Sequence, residues 1–207
     1  MKRILFVTFI AVITLVFSCT PLTKEKQDLN LQKDSIKKAD SIAKIYSDSV
    51  VKANYSGIWM IESYVDDFGA PTKKKYITNS DVINGKFSNS ATTNSELNVK
   101  IIIESQNVID IKLFEYAGKN PVKTCVEEGY KIRVKSKTGD VLELKAKNYS
   151  DRLSLNKSDS KKLWNLMLKG GKIQFAIIEI SEYSSSSYSF DIENADGFEN
   201  ATKKLIE

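Results

Sequence analysis

Residues 97–116 read LNVKIIIE (97–104), SQN (105–107) and VIDIKLFEY (108–116), and this stretch decides the fold. Val99, Ile101 and Ile103 alternate with Lys100 and Glu104. After the Ser105-Gln106-Asn107 turn, Ile109, Ile111 and Leu113 repeat the same period of two. Successive side chains of a strand point to opposite faces, so this alternation describes an antiparallel pair with one dry and one wet face.

The pattern extends in both directions. Ile58 to Val65 reads as a first strand around Trp59, and Tyr130 to Lys135 pairs through Thr138-Gly139 with Val141 to Lys147. Ile173, Phe175 and Ile177 alternate against Gln174 and Ala176, and Tyr188 to Ile192 gives a further strand. Two helices interrupt the strands. Ser158 or Asp159 is expected to cap one carrying Leu163, Trp164, Met167 and Leu168, which stops at Gly170-Gly171. Asn194 or Asp196 is expected to cap the last, whose Phe198, Ala201 and Leu205 share a face. The Asn-, Ser- and Thr-rich run from Gly69 to Glu96 reads as loop with one short strand at Lys86-Phe87. The expected class is α+β, mainly antiparallel β: a β-sandwich or open barrel with two short helices, spanning 54–207 and preceded by a helical tether.

Ahead of that domain lies an export signal, residues 1–18. Lys2 and Arg3 precede an apolar run from Ile4 to Phe17, shorter than the roughly 20 residues a membrane span needs. The run ends in Val16-Phe17-Ser18-Cys19, which resembles a lipobox. The resemblance implies cleavage before Cys19 and its acylation, palmitate included, and two chains suffice for stable anchoring. Thr20 stands where an inner-membrane retention signal would place Asp, so the expected address is the outer membrane, lipid-anchored, facing either the surface or the periplasm.

Residues 19–53 read as a tether. Leu29, Ile36, Ala39, Ala43, Tyr46 and Val50 fall at heptad spacing, with Gln32 in one of the apolar positions. Two alanines among them suit a solvated helical spacer better than a coiled coil. Asp34-Ser35-Ile36, Asp40-Ser41-Ile42 and Asp48-Ser49-Val50 each resemble the Asp-Ser/Thr-aliphatic acceptor of the general O-glycosylation system of Bacteroidota. That resemblance makes Ser35, Ser41 and Ser49 candidate O-glycosylation sites; the composition of a polar amphipathic spacer would generate the same triplets.

Composition excludes several function classes. The chain has no histidine, which removes Ser-His-Asp and Cys-His nucleophile systems and His-based zinc sites. No phosphate-binding G-x-x-x-x-G-K or strand-coupled G-x-G-x-x-G occurs, and neither a cofactor nor a metal is expected. From Asn54 onward 22 basic residues face 21 acidic ones, so no nucleic-acid partner is expected. Ser158-x-x-Lys161 and Lys137-Thr138-Gly139 imitate penicillin-binding motifs, but in the wrong order and with Ser-x-x-Lys recurring elsewhere in the chain. Cys125 has no second cysteine to pair with once Cys19 is acylated, and Glu127 and Glu128 beside it disfavour a thiolate.

The candidate partner-binding residues are Asp66, Asp67, Arg133, Asp151, Arg152, Tyr183 and Tyr188. Asp66 and Asp67 follow the first strand and read equally well as a solvated turn. Asp151-Arg152 reads as an ion pair or half of a site. Tyr183 and Tyr188 flank a serine run, the Tyr/Ser mixture of adaptable, exposed binding loops.

Trp59, Asp66-Asp67, the strand pair at Leu97 and Val108, Tyr130-x-Ile132-Arg133, Asp151-Arg152-Leu153, the helix to Leu168 and the ending Phe190-x-Ile192…Gly197-Phe198-x-x-Ala201-x-x-x-Leu205 together carry a family likeness. The layout resembles the periplasmic β-sandwich family of invasion-associated locus B and type VI secretion accessory proteins. It lacks the cysteine pairs of several of those relatives. The resemblance implies a non-enzymatic envelope module that contacts other proteins or the wall. The expected function is therefore a membrane-anchored binding module for an envelope or surface protein or glycan. The alternatives are a carboxylate-based glycan or peptidoglycan hydrolase and a small apolar-ligand carrier.

Overall fold

The computed structural model describes residues 36–45, 55–118, 120–122, 129–181 and 186–206. The chain divides into two compact units, Met1–Val51 and Lys52–Glu207. Cys19, Ser35, Ser49, Cys125 and Tyr183 lie outside the described residues, as do Leu29, Tyr46 and Val50 of the heptad.

In the first unit residues 36–45 form a helix, α1, exposed along its whole length, including Ile36, Ile42 and Ile45. The Ser41 hydroxyl donates to the Lys37 carbonyl at 2.7 Å. Over these ten residues, exposure on every side is compatible with a solvated spacer.

The second unit is a closed eight-stranded barrel with a hairpin added. The strands are β1 (Trp59–Val65), β2 (Pro71–Asn79), β3 (Ile83–Ser88), β4 (Ser95–Ser105), β5 (Val108–Phe114), β6 (Asn120–Pro121), β7 (Gly129–Ser136), β8 (Val141–Tyr149), β9 (Arg152–Leu155), β10 (Ile173–Ile180) and β11 (Ser187–Ile192). All pairings are antiparallel, and the circuit runs β4-β3-β11-β10-β7-β8-β9-β5 before β5 pairs back onto β4. Followed round, the registers return to β5 displaced by about ten residues, a stagger that tilts the strands against the barrel axis. The alternation therefore closes completely, where sequence left a sandwich or an open barrel.

Inward side chains fill the barrel: Ile101, Ile111, Ile132, Leu144, Phe175 and Phe190 are all buried. Among the described residues the buried core is drawn from residues 59–201, so the unit Lys52–Glu207 contains its own core, which is what a domain able to fold by itself requires. At the end where β9 and β11 finish, α3 (Lys157–Leu168) and α4 (Phe198–Ile206) contribute Leu163, Met167, Phe198 and Ala201 to that core. Trp59 and Trp164 each meet the Phe198 ring edge-on at 5.1 Å. The Trp59 indole N–H donates to the Ala195 carbonyl at 3.1 Å.

Four local expectations are corrected. The run from Gly69 to Glu96 holds more strand than expected: the short strand at Lys86-Phe87 is present as part of the longer β3, but β2 replaces what reads as loop. The first half of β2 belongs to a hairpin extending off β4 and buries little, so Lys73, Lys74 and Lys75 mask its period. In β3 the period fails at Gly85, where a Cβ would stand 2.4 Å from the Ser189 carbonyl oxygen. The strand from Val108 ends at Phe114 rather than Tyr116; Glu115–Gly118 forms a single helical turn, α2, with Tyr116 at φ 52°.

The cap of α3 is Asn156, not Ser158 or Asp159. Its side-chain carbonyl oxygen accepts the Asp159 N–H, while its side-chain amide donates to the Asp159 carboxylate, a reciprocal cap two residues before Ser158. At α4, Asn194 accepts the Asp196 N–H, and Asp196 accepts the Gly171 N–H at 2.8 Å across the α3–β10 turn. Those carboxamide and carboxylate groups brace the approach to α4 rather than its first turn.

Candidate functional site

Beyond Asn79 the β2–β3 strand breaks for three residues, and the chain turns from one part of the β4 edge to another. The Asn79 amide bridges the break, accepting the Ile101 N–H at 2.7 Å and donating to the Val99 carbonyl at 3.1 Å and the Asp81 carbonyl at 2.7 Å. Because the break redirects the chain, the β1–β2 hairpin lies beside the outer faces of β4, β5 and β9. Their polar side chains interlock there.

On this face the Tyr64 hydroxyl donates to Glu104 at 2.5 Å, and Lys74 pairs with the other Glu104 oxygen at 2.8 Å. The Tyr76 hydroxyl donates to Glu62 at 2.5 Å, with Lys100 at 3.3 Å from the same oxygen. The two tyrosine rings lie 4.7 Å apart. Arg152 reaches Asp151 at 3.1 Å and the buried Asp110 at 3.5 Å, and Lys112 pairs with the other Asp151 oxygen.

The electrostatics follow from these contacts. The Tyr76 hydroxyl and the Lys100 ammonium hold Glu62 below the ordinary carboxylate range. Burial pushes Glu104 up, but Lys74 and the Tyr64 hydroxyl outweigh it and the net shift is downward. The Lys112 hydrogen bond, then Arg152, lowers Asp151. Burial and the Glu104 carboxylate raise the Tyr64 phenol, while burial and Glu62 push Tyr76 up to about 12. Acids that stay ionised beside phenols that stay protonated form fixed acceptors and donors across the neutral range. Such groups can recognise a partner; they are poorly matched to moving a proton near neutral pH.

Two clefts open on the barrel, the smaller of them beside the network. One, of about 340 Å³, is lined by Met60, Glu62, Val82, Lys100 and Phe114 among others. A larger groove of about 860 Å³ runs along β3 and β11 past Asp81, Lys86, Glu96, Asp191 and Glu193. Two of its acids are paired: Lys172 meets Asp191 at 2.8 Å and Glu193 at 3.0 Å.

The barrel mouth, opposite α3 and α4, holds a third polar group. Glu115 is buried and accepts from Tyr188 at 3.3 Å and Asn120 at 3.2 Å. Burial raises its carboxyl, and the charge of Glu179 adds to the rise. Asn148 also turns inward, and its amide atoms have no hydrogen-bond partner among the described residues.

The sequence-derived candidates separate. Asp151 and Arg152 sit in the network. Asp66 accepts the N–H groups of Phe68, at 2.9 Å, and Ala70, at 2.8 Å, so it builds the β1–β2 turn, with Asp67 exposed beside it. Arg133 lies on another wall, 3.8 Å from Glu143. The expectation of an exposed Tyr188 is corrected: it points into the barrel and is 4% exposed, because its strand faces Phe87 and Ile177. Sequence reading missed Glu62, Tyr64, Tyr76 and Glu104. The signal was the i, i+2 placement of Glu62 with Tyr64 and of Lys74 with Tyr76, legible only once β2 is known to be a strand.

Among the described residues no group of three or more His, Cys, Asp or Glu is placed to hold a metal ion, and no helix is long and apolar enough to cross a membrane. Comparisons with protein-family models, curated proteins and solved structures found no match to this chain.

Proposed function

We propose that this chain is an envelope lipoprotein, anchored in the outer membrane by acyl chains on Cys19. Its barrel is a non-enzymatic binding module that engages an envelope or surface partner through the Tyr64–Tyr76–Arg152 face. The observation that carries the reading is the hydrogen-bonded geometry of that face: Tyr64 on Glu104, Tyr76 on Glu62, and Arg152 on Asp151 and Asp110 hold donors and acceptors in fixed positions, and the lowered carboxyls and raised phenols agree with it. Tyrosine and arginine dominate the energetics of protein interfaces, and here they are held in place before any partner arrives. The envelope-module role implied by the likeness to invasion-associated locus B proteins agrees with it. The filled barrel interior favours an outer binding face over an enclosed apolar-ligand cavity.

The test is affinity capture of the tagged full chain from its native host, with the partner identified by mass. Arg152→Ala and Tyr76→Ala are expected to reduce recovery of that one partner at least tenfold, while Asp66→Asn leaves it unchanged. Equal recovery by all three would remove the face from the proposal.

A carboxylate-based hydrolase is the second reading, favoured by the acid-lined groove of Asp81, Glu96, Asp191 and Glu193. Release of soluble fragments from peptidoglycan, abolished by Glu96→Gln, would establish it in place of the first.

A further inference from the structure

The outer wall formed by β8, β7 and β10 carries a grid of charges that the fold itself does not use. Reading across the strands, Lys147 stands beside Gly129 and Ile180, Lys145 beside Lys131 and Ile178, Glu143 beside Arg133 and Ala176, and Val141 beside Lys135 and Gln174. All five cations are exposed. Glu143 is the lone acid among them, 3.6 Å from Lys131 and 3.8 Å from Arg133. Lys135, Lys145 and Lys147 have no ion pair among the described residues.

Three features set this wall apart from ordinary solvated sheet. Lys131 lies directly opposite Lys145, and like charges in that position destabilise a strand pair. The domain as a whole is almost neutral, so five cations against one acid is a local excess. Beside the cations, on the wet face of β10, Ile178 and Ile180 are about half exposed, at 50% and 52%, and Tyr149 at the end of β8 is 61% exposed. Cations repeat along β7 and β8 about every 6.8 Å, with neighbouring strands about 4.8 Å apart. An array of positive charge edged by exposed aliphatic and aromatic side chains matches a charged interface with hydrocarbon just beneath it. A soluble polyanion would complement the lysines but gives Ile178 and Ile180 nothing to enter.

We infer that the β8–β7–β10 wall docks on an anionic lipid bilayer, with Lys131, Arg133, Lys135, Lys145 and Lys147 over the headgroups and Ile178, Ile180 and Tyr149 reaching below them. The wall acts independently of acylation at Cys19 and leaves the Tyr64–Tyr76–Arg152 face to a partner, so loss of either activity does not entail loss of the other.

The test uses the self-contained unit Lys52–Glu207, which lacks the signal and Cys19, in sedimentation with phosphatidylcholine vesicles alone or with about 30% phosphatidylglycerol. Binding is expected only with the anionic lipid and is expected to fall steeply with added salt. K131Q/K145Q should weaken it about thirtyfold, from the surface attraction of two lysines. K73Q/K75Q, on β2, should change it little, and I178S/I180S should weaken it at least tenfold. All substituted positions are exposed, and thermal melts confirm that each variant is folded. Equal binding to neutral vesicles, binding to neither, or undiminished binding by K131Q/K145Q would overturn the inference. So would vesicle binding that I178S/I180S leaves intact while a soluble polyanion competes it away, because the wall would then read charge alone.

Discussion

The side-chain carbonyl of Asn79 accepts the backbone N–H of Ile101 at 2.7 Å, replacing the ladder hydrogen bond that the break between β2 and β3 removes. Both partners are buried. Asn79→Ala would leave the Ile101 N–H and Val99 carbonyl unsatisfied, at a cost of about 2–4 kcal/mol. Urea denaturation of Lys52–Glu207 reads this directly, and a loss below about 1 kcal/mol would show that the break closes without the amide.

Glu115 makes stability depend on pH in an unusual direction. Its folded carboxyl is raised above the ordinary 4.5 by burial, so the folded state holds the proton longer than the unfolded chain does. The contribution is complete below 4.5 and is lost as pH rises through the folded value. Glu115→Gln keeps the shape without the charge. It is expected to raise the melting temperature at pH 7 and to flatten the decline between pH 4.5 and 7. An unchanged profile would mean that Glu115 is ionised at no cost.

Asp159 acts with the opposite sign. Burial raises it, but the Lys162 ammonium at 2.7 Å, the Lys145 N–H and the Asn156 amide together hold it below the ordinary 3.8. Its stabilisation is therefore present above 3.8 and disappears as pH falls through the lowered value. Because it joins α3 to the β8 backbone, Asp159→Ala should cost about 2–3 kcal/mol at pH 7. In acid denaturation the two proteins should converge; parallel curves down to pH 2 would exclude the carboxylate as the cause.

Phe198 lies between the two tryptophans. Phe198→Ala should cost about 3–5 kcal/mol and admit water to both indoles. Tryptophan emission should shift to the red in the folded variant, and a spectrum identical to the parent would place the packing elsewhere.

The fold was legible wherever one face of a strand is dry and the other wet. Ile132 and Ile177 announce their strands because each alternates with exposed neighbours, and Ile101 and Ile111 because each stands beside a lysine that is only partly buried. Closure was not legible: a sandwich and a barrel bury the same alternating residues, and only the pairing of β5 with both β4 and β9 separates them. β2 stayed hidden because a projecting hairpin buries little, and β3 was legible only at Lys86-Phe87 because glycine at position 85 leaves its inward row incomplete. The site suffered the same loss. Asp151 and Arg152 could be singled out as adjacent opposite charges, but Tyr64, Tyr76 and Glu104 meet only through a hairpin whose second strand looked like loop. Tyr188 misled for a local reason, since a serine run beside a tyrosine looks like a mobile surface even where the tyrosine faces the core.

The central claim is that the Tyr64–Tyr76–Arg152 face meets a partner in the envelope. A photo-crosslinking residue placed at position 60 of the full chain, exposed beside Glu62 and Lys100, in living cells of the native host, tests it most directly, with position 187 on the exposed face of β11 as control. One discrete adduct at 60, lost with Arg152→Ala and absent at 187, is the expected result. No adduct at 60, or the same adducts at both positions, would contradict it.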